Sequence, residues 1–354
     1  MKAVIFNQWM VAKGQIKMQN ESAIMVTVTY GKRWNFLREC IQSALDDGVD
    51  AVIVIDNNSK ENIEDLCSEY FPLNVHVFKQ DQNIGSSGGY SLGIKLAIDR
   101  KFDYIFLLDD DNKIIQGTYK KLKSRFDDLL QHYQVTKAIF ALCAYRPMHE
   151  PEIATGSKIL KLYTLSQSFF GFHFLDLPIK IIKRLPFFRN VTQAGKPDKF
   201  VELNKAVWSG LFFHKDLISN IGLPIAELMI YSDDIEFTQR IIQRGGKIVL
   251  NTDAPLFEMD KSWNVGNNVS NNFDNYLLAE GDFRIYYAIR NQAYIESHKM
   301  VCGLLWKINK NIYLGLLLIR ALFLLRLKRW QLIYGAVEDG RRAKLGVNKE
   351  FPLT

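Results

Sequence analysis

Three consecutive carboxylates follow the apolar run Tyr104–Leu108, giving Leu108-Asp109-Asp110-Asp111. Carboxylates crowded at the end of a buried strand repel one another unless a cation offsets their charge. Alternate side chains of an extended chain face the same way, which pairs Asp109 with Asp111. Two such groups, with phosphate oxygens completing the shell, suit Mg²⁺ or Mn²⁺. The competing reading is an acidic turn or helix cap. A second cluster, Asn83-Ile84-Gly85-Ser86-Ser87-Gly88-Gly89-Tyr90, precedes a helical stretch. Glycines there let backbone N–H groups approach an anion at a helix N-terminus. The run matches neither the dinucleotide fingerprint nor the P-loop, so a plain flexible turn competes. A third cluster, Asp233-Asp234, opens a helix, where acidic residues serve as ordinary caps or as a general base for a hydroxyl.

The elements that must position these groups alternate. Ile24–Thr29, Ala51–Ile55, Val75–Lys79 and Tyr104–Leu108 read as strands, most of them continuously apolar. Trp34–Leu45, Asn62–Tyr70 and Gly93–Arg100 read as the helices between them. The pattern predicts an α/β fold with a mostly parallel sheet covered by helices on both faces. Polar residues sit directly after the strand ends, at Thr29-Tyr30, Asp56-Asn57 and Asp109–Asp111. In open α/β sheets ligands bind outside those ends. The pattern weakens over 112–200, where 169–188 is aromatic and basic and suggests a loop or flap. Strand character returns at Ala206–Phe213 and Lys247–Leu250, with a helix at Ile235–Arg244 between them.

The net charge of +7 is unevenly spread. Lys299–Glu350 carries six lysines and five arginines against three acidic residues, so the rest of the chain is near neutral. A basic tail on a neutral body points to an anionic surface. Its cations interleave with Leu and Ile rather than with stacking aromatics, which favours anionic lipid over nucleic acid. The apolar stretch Ile312–Leu325 is split by Arg320 and falls short of the ~20 residues a spanning helix needs. It reads as an interfacial helix or a buried one. Cys40, Cys67, Cys143 and Cys302 show no metal or disulfide spacing. Residues 1–20 lack a continuous apolar segment, so no signal peptide and a cytoplasmic location are expected.

Together, the three clusters and their order resemble the family 2 glycosyltransferases, which are inverting enzymes of GT-A fold. The resemblance spans about Ala23 to Trp263 and implies three regions: a short extension (1–21), a GT-A catalytic domain (22–263) and a helical, basic C-terminal region (264–354). It implies that Thr29, Tyr30, Asp56, Asn57, Asn83, Gly88, Gly89 and Asp110 bind a UDP-sugar donor. Asp109 and Asp111 would hold a divalent cation. Trp208 and Asp233 would lie on the acceptor side, and Asp234 would be the base, its ordinary pKa near 4 keeping it ionised. Tyr286-Tyr287 and Arg290-Asn291 resemble the family's segment after the core. The glycine run is most similar to bacterial galactofuranosyltransferases, with rhamnosyltransferases carrying a similar one. Those enzymes place a histidine ligand where this chain has Phe257-Glu258-Met259, so Glu258 is the expected third ligand. The implied acceptor is a glycan or lipid-linked oligosaccharide, met at the inner face of the bacterial cytoplasmic membrane. A sugar-phosphate nucleotidyltransferase is a distant rival, but its glycine-rich loop should directly follow the first strand, where Thr29-Tyr30-Gly31-Lys32-Arg33 holds a single glycine.

Overall fold

Strands β1 (Ala23–Thr29) and β2 (Ala51–Asp56) are buried almost throughout, as their apolar, β-branched sequences require. They belong to the parallel half of a nine-stranded sheet in a computed structural model that describes residues 21–147, 167–176, 198–260, 272–299 and 302–353. The expected N-terminal extension lies outside those residues, as does the second half of the 169–188 loop. The other strands are β3 (Val75–Lys79), β4 (Tyr104–Leu107), β5 (Asn112–Ile114), β6 (Phe140–Tyr145), β7 (Phe200–Leu203), β8 (Leu211–His214) and β9 (Lys247–Glu258). Their order is β3-β2-β1-β4-β8-β6-β9-β5, with β7 also on β9.

The sheet is parallel over β3-β2-β1-β4, as the alternation predicts. Beyond β4 it is mixed. β8 runs antiparallel to both β4 and β6, β6 and β9 are parallel, and β5 and β7 are antiparallel to β9. The strand expected over Ala206–Phe213 starts only at Leu211, because Trp208-Ser209-Gly210 forms the turn that leads into it. The strand expected to stop at Leu250 runs on to Glu258, exchanging its partners β6 and β7 for β5. That change of partner brings Glu258 opposite Asn112, beside the acidic cluster.

Alternation along the central strands sends their side chains into two cores. Ala23, Met25, Val52, Val54 and Phe106 pack with helices α1 (Trp34–Asp46), α2 (Ile63–Tyr70) and α4 (Thr118–Tyr133). Ile24, Val26, Ile53, Ile55 and Leu107 pack with α3 (Gly85–Asp99), α5 (Asp216–Ile221) and α6 (Asp233–Gln243). The C-terminal helices α7 (Asn272–Leu278), α8 (Asp282–His298), α9 (Leu304–Phe323) and α10 (Leu327–Arg341) build a third core. Phe169 and Phe172, expected in an open flap, are buried in that core against Trp306 and Tyr313.

Candidate active site

The C-terminal ends of β1, β2 and β4 open onto one cavity of about 580 Å³, closed on its far side by the start of α6. The chain turns immediately after β4, with the Asn112 N–H donating to the Asp109 carbonyl, so all three acids reach the cavity. Asp109 accepts from the Tyr90 hydroxyl at 2.7 Å. Asp110 is only 4% exposed and accepts from Thr29 Oγ1 at 2.7 Å and Arg33 Nε at 2.9 Å. Asp111 accepts from Arg33 Nη2 at 2.7 Å, and the same guanidinium reaches Asp260 at 3.2 Å. Even so, burial pushes the Asp110 carboxyl up to about 7 against the pull of Arg33. Burial, and then the charge of Asp111, pushes Asp109 up to about 6.

Among the described residues, no three His, Cys, Asp or Glu side chains form a ready-made metal cluster. Asp109 and Asp111 nonetheless fit a divalent cation by their chemistry. They are hard oxygen donors whose mutual repulsion raises a pKa, and such a cation relieves that repulsion. Glu258 lies in the same cavity with its Oε1 2.6 Å from Arg146 Nε, an ion pair largely shielded from water.

On the nucleotide side, Tyr30 is 43% exposed and lines the cavity with Asn57. Asn57 donates to the Gly85 carbonyl at 3.0 Å, while its Oδ1 is buried without a partner. A buried orphan acceptor in a cavity wall is a place for a ligand N–H or O–H. Asp56 is buried at the end of β2 and accepts from the Ser59 N–H, shaping the loop rather than lining the cavity. Thr29 is likewise fully buried and spends its hydroxyl on Asp110. Asn83 Oδ1 accepts from the Gly85 N–H at 2.9 Å and steadies the start of α3.

The glycine run divides. Gly85 and Ser86 line the cavity. Gly88 and Gly89 are buried one turn into α3, where a Cβ on Gly88 would meet Ile84 at 3.1 Å and one on Gly89 would meet Val28 at 2.7 Å. The close approach that these two permit is of helix to protein, not of backbone to phosphate.

Asp233 and Asp234 occupy the first turn of α6. Asp233 is 3% exposed and accepts from Trp208 Nε1 at 2.9 Å and Ser86 Oγ at 2.8 Å. The Trp208 ring, expected to offer a face to sugar, packs between Tyr90 and Phe237 with centroids 5.0 and 5.2 Å away, so its N–H is the working part. Asp234 accepts only from the Ile235 N–H at 2.7 Å among the bonds resolved here. Burial, then the charge of Asp233, pushes Asp234 up to about 7, in place of the ordinary value near 4 that exposure would give.

Sequence reasoning missed Arg33, Arg146 and Tyr90. The available signal for Arg33 was a cation four residues past the first strand, facing an acidic strand end three strands further on in sequence.

Comparison with known proteins agrees with this geometry. Residues 24–184 match the family described as glycosyl transferase family 2. The galactofuranosyltransferase GlfT1 of Mycolicibacterium smegmatis is 22% identical over 234 residues, 64% of this chain and 67% of that protein. The minor teichoic acid biosynthesis protein GgaB of Bacillus subtilis is 30% identical over 100 residues, 26% of this chain but only 11% of GgaB. S. aureus TarS 1–349 in complex with UDP-GlcNAc superposes with a TM-score of 0.51 at 14% identity, covering 90% of this chain and 80% of that one. That last likeness is one of fold. Residues 24–184, which include the acidic strand end, thus carry a glycosyl transferase family 2 domain, in a chain with a GT-A fold.

Proposed function

We propose that this enzyme moves a sugar, with inversion, from a UDP-sugar to a hydroxyl of a bacterial cell-surface glycan or its lipid-linked precursor. The observation that carries this is the convergence of Asp109–Asp111, just after β4, and Asp234, at the start of α6, on one cavity. Tyr30 and the open Oδ1 of Asn57 would take the nucleoside, with Asp56 holding their loop. Asp109 and Asp111 would hold Mg²⁺ or Mn²⁺, with Glu258 next to them through its Arg146 pair. The bound ion would supply Lewis-acid neutralisation of charge on the leaving diphosphate.

Asp234 then takes the proton from the acceptor hydroxyl as that oxygen forms its bond to the anomeric carbon. The bond from that carbon to the diphosphate oxygen breaks on the opposite face, and UDP leaves with the electron pair. One displacement gives inversion. A carboxyl pushed up to about 7 is a stronger base than an ordinary aspartate and is still substantially ionised at neutral pH. Asp233, held by Trp208 and Ser86, fixes the first turn of α6 and orients the acceptor.

Galactofuranose is the favoured donor sugar, supported by the glycine run and the likeness to GlfT1. The test is release of UDP from a panel that includes UDP-galactofuranose and UDP-GlcNAc, with dTDP-rhamnose beside it, with and without Asp234→Asn. Turnover of one donor that Asp234→Asn abolishes is the expected result. Turnover of dTDP-rhamnose alone replaces the donor assignment, and undiminished turnover in Asp234→Asn removes the base.

The acceptor side includes a membrane surface. Among the described residues no helix is long and apolar enough to cross a bilayer. Helix α9 instead exposes Leu304, Ile308, Ile319, Leu322 and Phe323, while Trp306, Tyr313 and Leu317 face the third core. Lys307, Arg326 and Lys328 flank that exposed stripe, and no acidic residue occurs from Cys302 to Val337. An apolar stripe in a segment whose own charges are all cationic fits the interface of an anionic cytoplasmic leaflet.

A further inference from the structure

The segment that delivers the catalytic acids is held in an unusual backbone. Met229, Tyr231 and Ser232 all have positive φ, at 66°, 65° and 60°, and none is glycine. Such residues keep that conformation only where surrounding contacts over-determine it. Asp233 follows directly, so the direction in which the first turn of α6 leaves this segment sets where Asp234 points.

Three of those contacts come from one side chain. Asn291, fully buried on α8, places its Nδ2 2.8 Å from each of the carbonyls of Leu228, Ile230 and Tyr231. An amide has two N–H bonds, so three carbonyls share them and the segment must curl around a single nitrogen. Arg290 fixes which way the amide faces, because its Nε donates to Asn291 Oδ1 at 2.9 Å. Its Nη2 donates to Leu228 O at 3.0 Å and Glu227 O at 3.3 Å, and its Nη1 to Gly346 O at 2.5 Å. Gly346 N–H returns a bond to Glu227 O at 2.7 Å. The guanidinium, 1% exposed, lies over the Tyr287 ring at 4.7 Å. Both residues stand outside the cavity wall. On its other side the same segment receives the Ser87 N–H on Met229 O at 3.0 Å, which ties it to the start of α3.

We propose that Arg290 and Asn291 form a positioning clamp: by holding the 227–231 carbonyls they set the register in which α6 presents Asp234 to the acceptor hydroxyl. This rests on Asp234 as the base, and the experiment separates the two. Full-length wild type, Asn291→Ala, Arg290→Lys, Asp234→Asn and the Asn291→Ala/Asp234→Asn double variant are compared. The readouts are hydrogen exchange over 227–236 and steady-state UDP release from UDP-galactofuranose and the other donors. Asn291→Ala is expected to exchange at least tenfold faster over 229–235 and to lose about 100-fold in kcat, with donor KM within about threefold, as a displacement of roughly 1 Å implies. The double variant should be no slower than Asp234→Asn, since a clamp acting through Asp234 has nothing left to position. Arg290→Lys, which loses the bond orienting the amide, should show the same pattern more weakly, and it decides the matter if Asn291→Ala does not fold. Unchanged exchange over 229–235, an unchanged kcat, or a double variant that multiplies both losses overturns the clamp. Undiminished turnover in Asp234→Asn overturns the base instead, and the exchange arm then decides the clamp alone.

Discussion

Replacing Gly85 with alanine should damage this enzyme far more than its place in a run that reads as a flexible turn suggests. A Cβ built at Gly85 would lie 2.2 Å from the Met229 carbonyl oxygen and 2.6 Å from its carbon. Ordinary Cβ contact begins near 3.4 Å, so the 229 segment or the start of α3 must move by roughly 1 Å. The φ of +74° adds about 1–2 kcal/mol for any residue with a Cβ. Losing the Ser87 N–H bond to Met229 O adds about 1 kcal/mol. The total is about 2–3 kcal/mol. Because Met229 leads into Asp233 and Asp234, a 1 Å shift should also lower kcat on the order of 100-fold. Gly31 is the control. Its φ is +65°, yet a Cβ there meets nothing within 4 Å, so Gly31→Ala bears only the backbone strain, about 1–2 kcal/mol. Urea unfolding and UDP release read both effects. Equal stability and equal rate in Gly85→Ala and Gly31→Ala would show that the Met229 contact positions nothing.

Two further outcomes follow from charge and exposure. Asp234 must be deprotonated to act and is pushed up to about 7, so kcat should rise with pH between about 6 and 8 and then level off. Asp233→Asn removes the neighbouring like charge and should move that limb to lower pH, whereas a flat profile from pH 5.5 to 8 in the wild type contradicts the assignment. On α9, Phe323 is 78% exposed and Ile319 53%. Transferring either into lipid is worth about 1.5–3 kcal/mol, so Phe323→Asp or Ile319→Asp should weaken sedimentation with phosphatidylglycerol vesicles at least tenfold. Sedimentation equal to wild type would leave the stripe without a membrane role.

The strand ends were legible in the sequence because a parallel sheet writes each buried strand as a continuous apolar run and leaves polar residues where it stops. Asp109–Asp111 and Asn57 were found that way. Their partners were not. Arg33 follows β1 but serves Asp110 and Asp111 after β4, a pairing set by the neighbouring register of β1 and β4. Trp208 reads as a sugar platform in sequence because a tryptophan near an acid pair has two uses, and only packing against Tyr90 and Phe237 decides for the N–H. Gly88 and Gly89 read as a phosphate cradle because glycine marks any close approach, and the thing approached, Val28 or Ile84, belongs to the strand in front and the loop before it. The mixed half of the sheet was hidden for a similar reason. β5 and β8 are short, at three and four residues, and their direction depends on β4, β6 and β9 rather than on their own sequence.

Charge bookkeeping across the cavity bears on what must accompany the donor. Its wall carries Asp109, Asp110, Asp111, Asp233, Asp234, Glu258 and Asp260 against the guanidiniums of Arg33, Arg146 and Arg284 among the described residues. A diphosphate entering that field adds negative charge to an acidic surplus, three of whose members are already held at about 6 or 7 by burial and then by neighbouring charge. Affinity for a nucleoside diphosphate should therefore depend on a divalent ion. UDP titrated into the protein by calorimetry should bind at least tenfold more tightly with Mn²⁺ than with EDTA, and Asp111→Asn should narrow that gap, because it removes one of the two carboxylates proposed to hold the ion. Equal UDP affinity in Mn²⁺ and in EDTA would mean that Arg33 and Arg146 leave the acids to meet the diphosphate themselves, and Arg33→Gln should then abolish UDP binding while the protein stays folded.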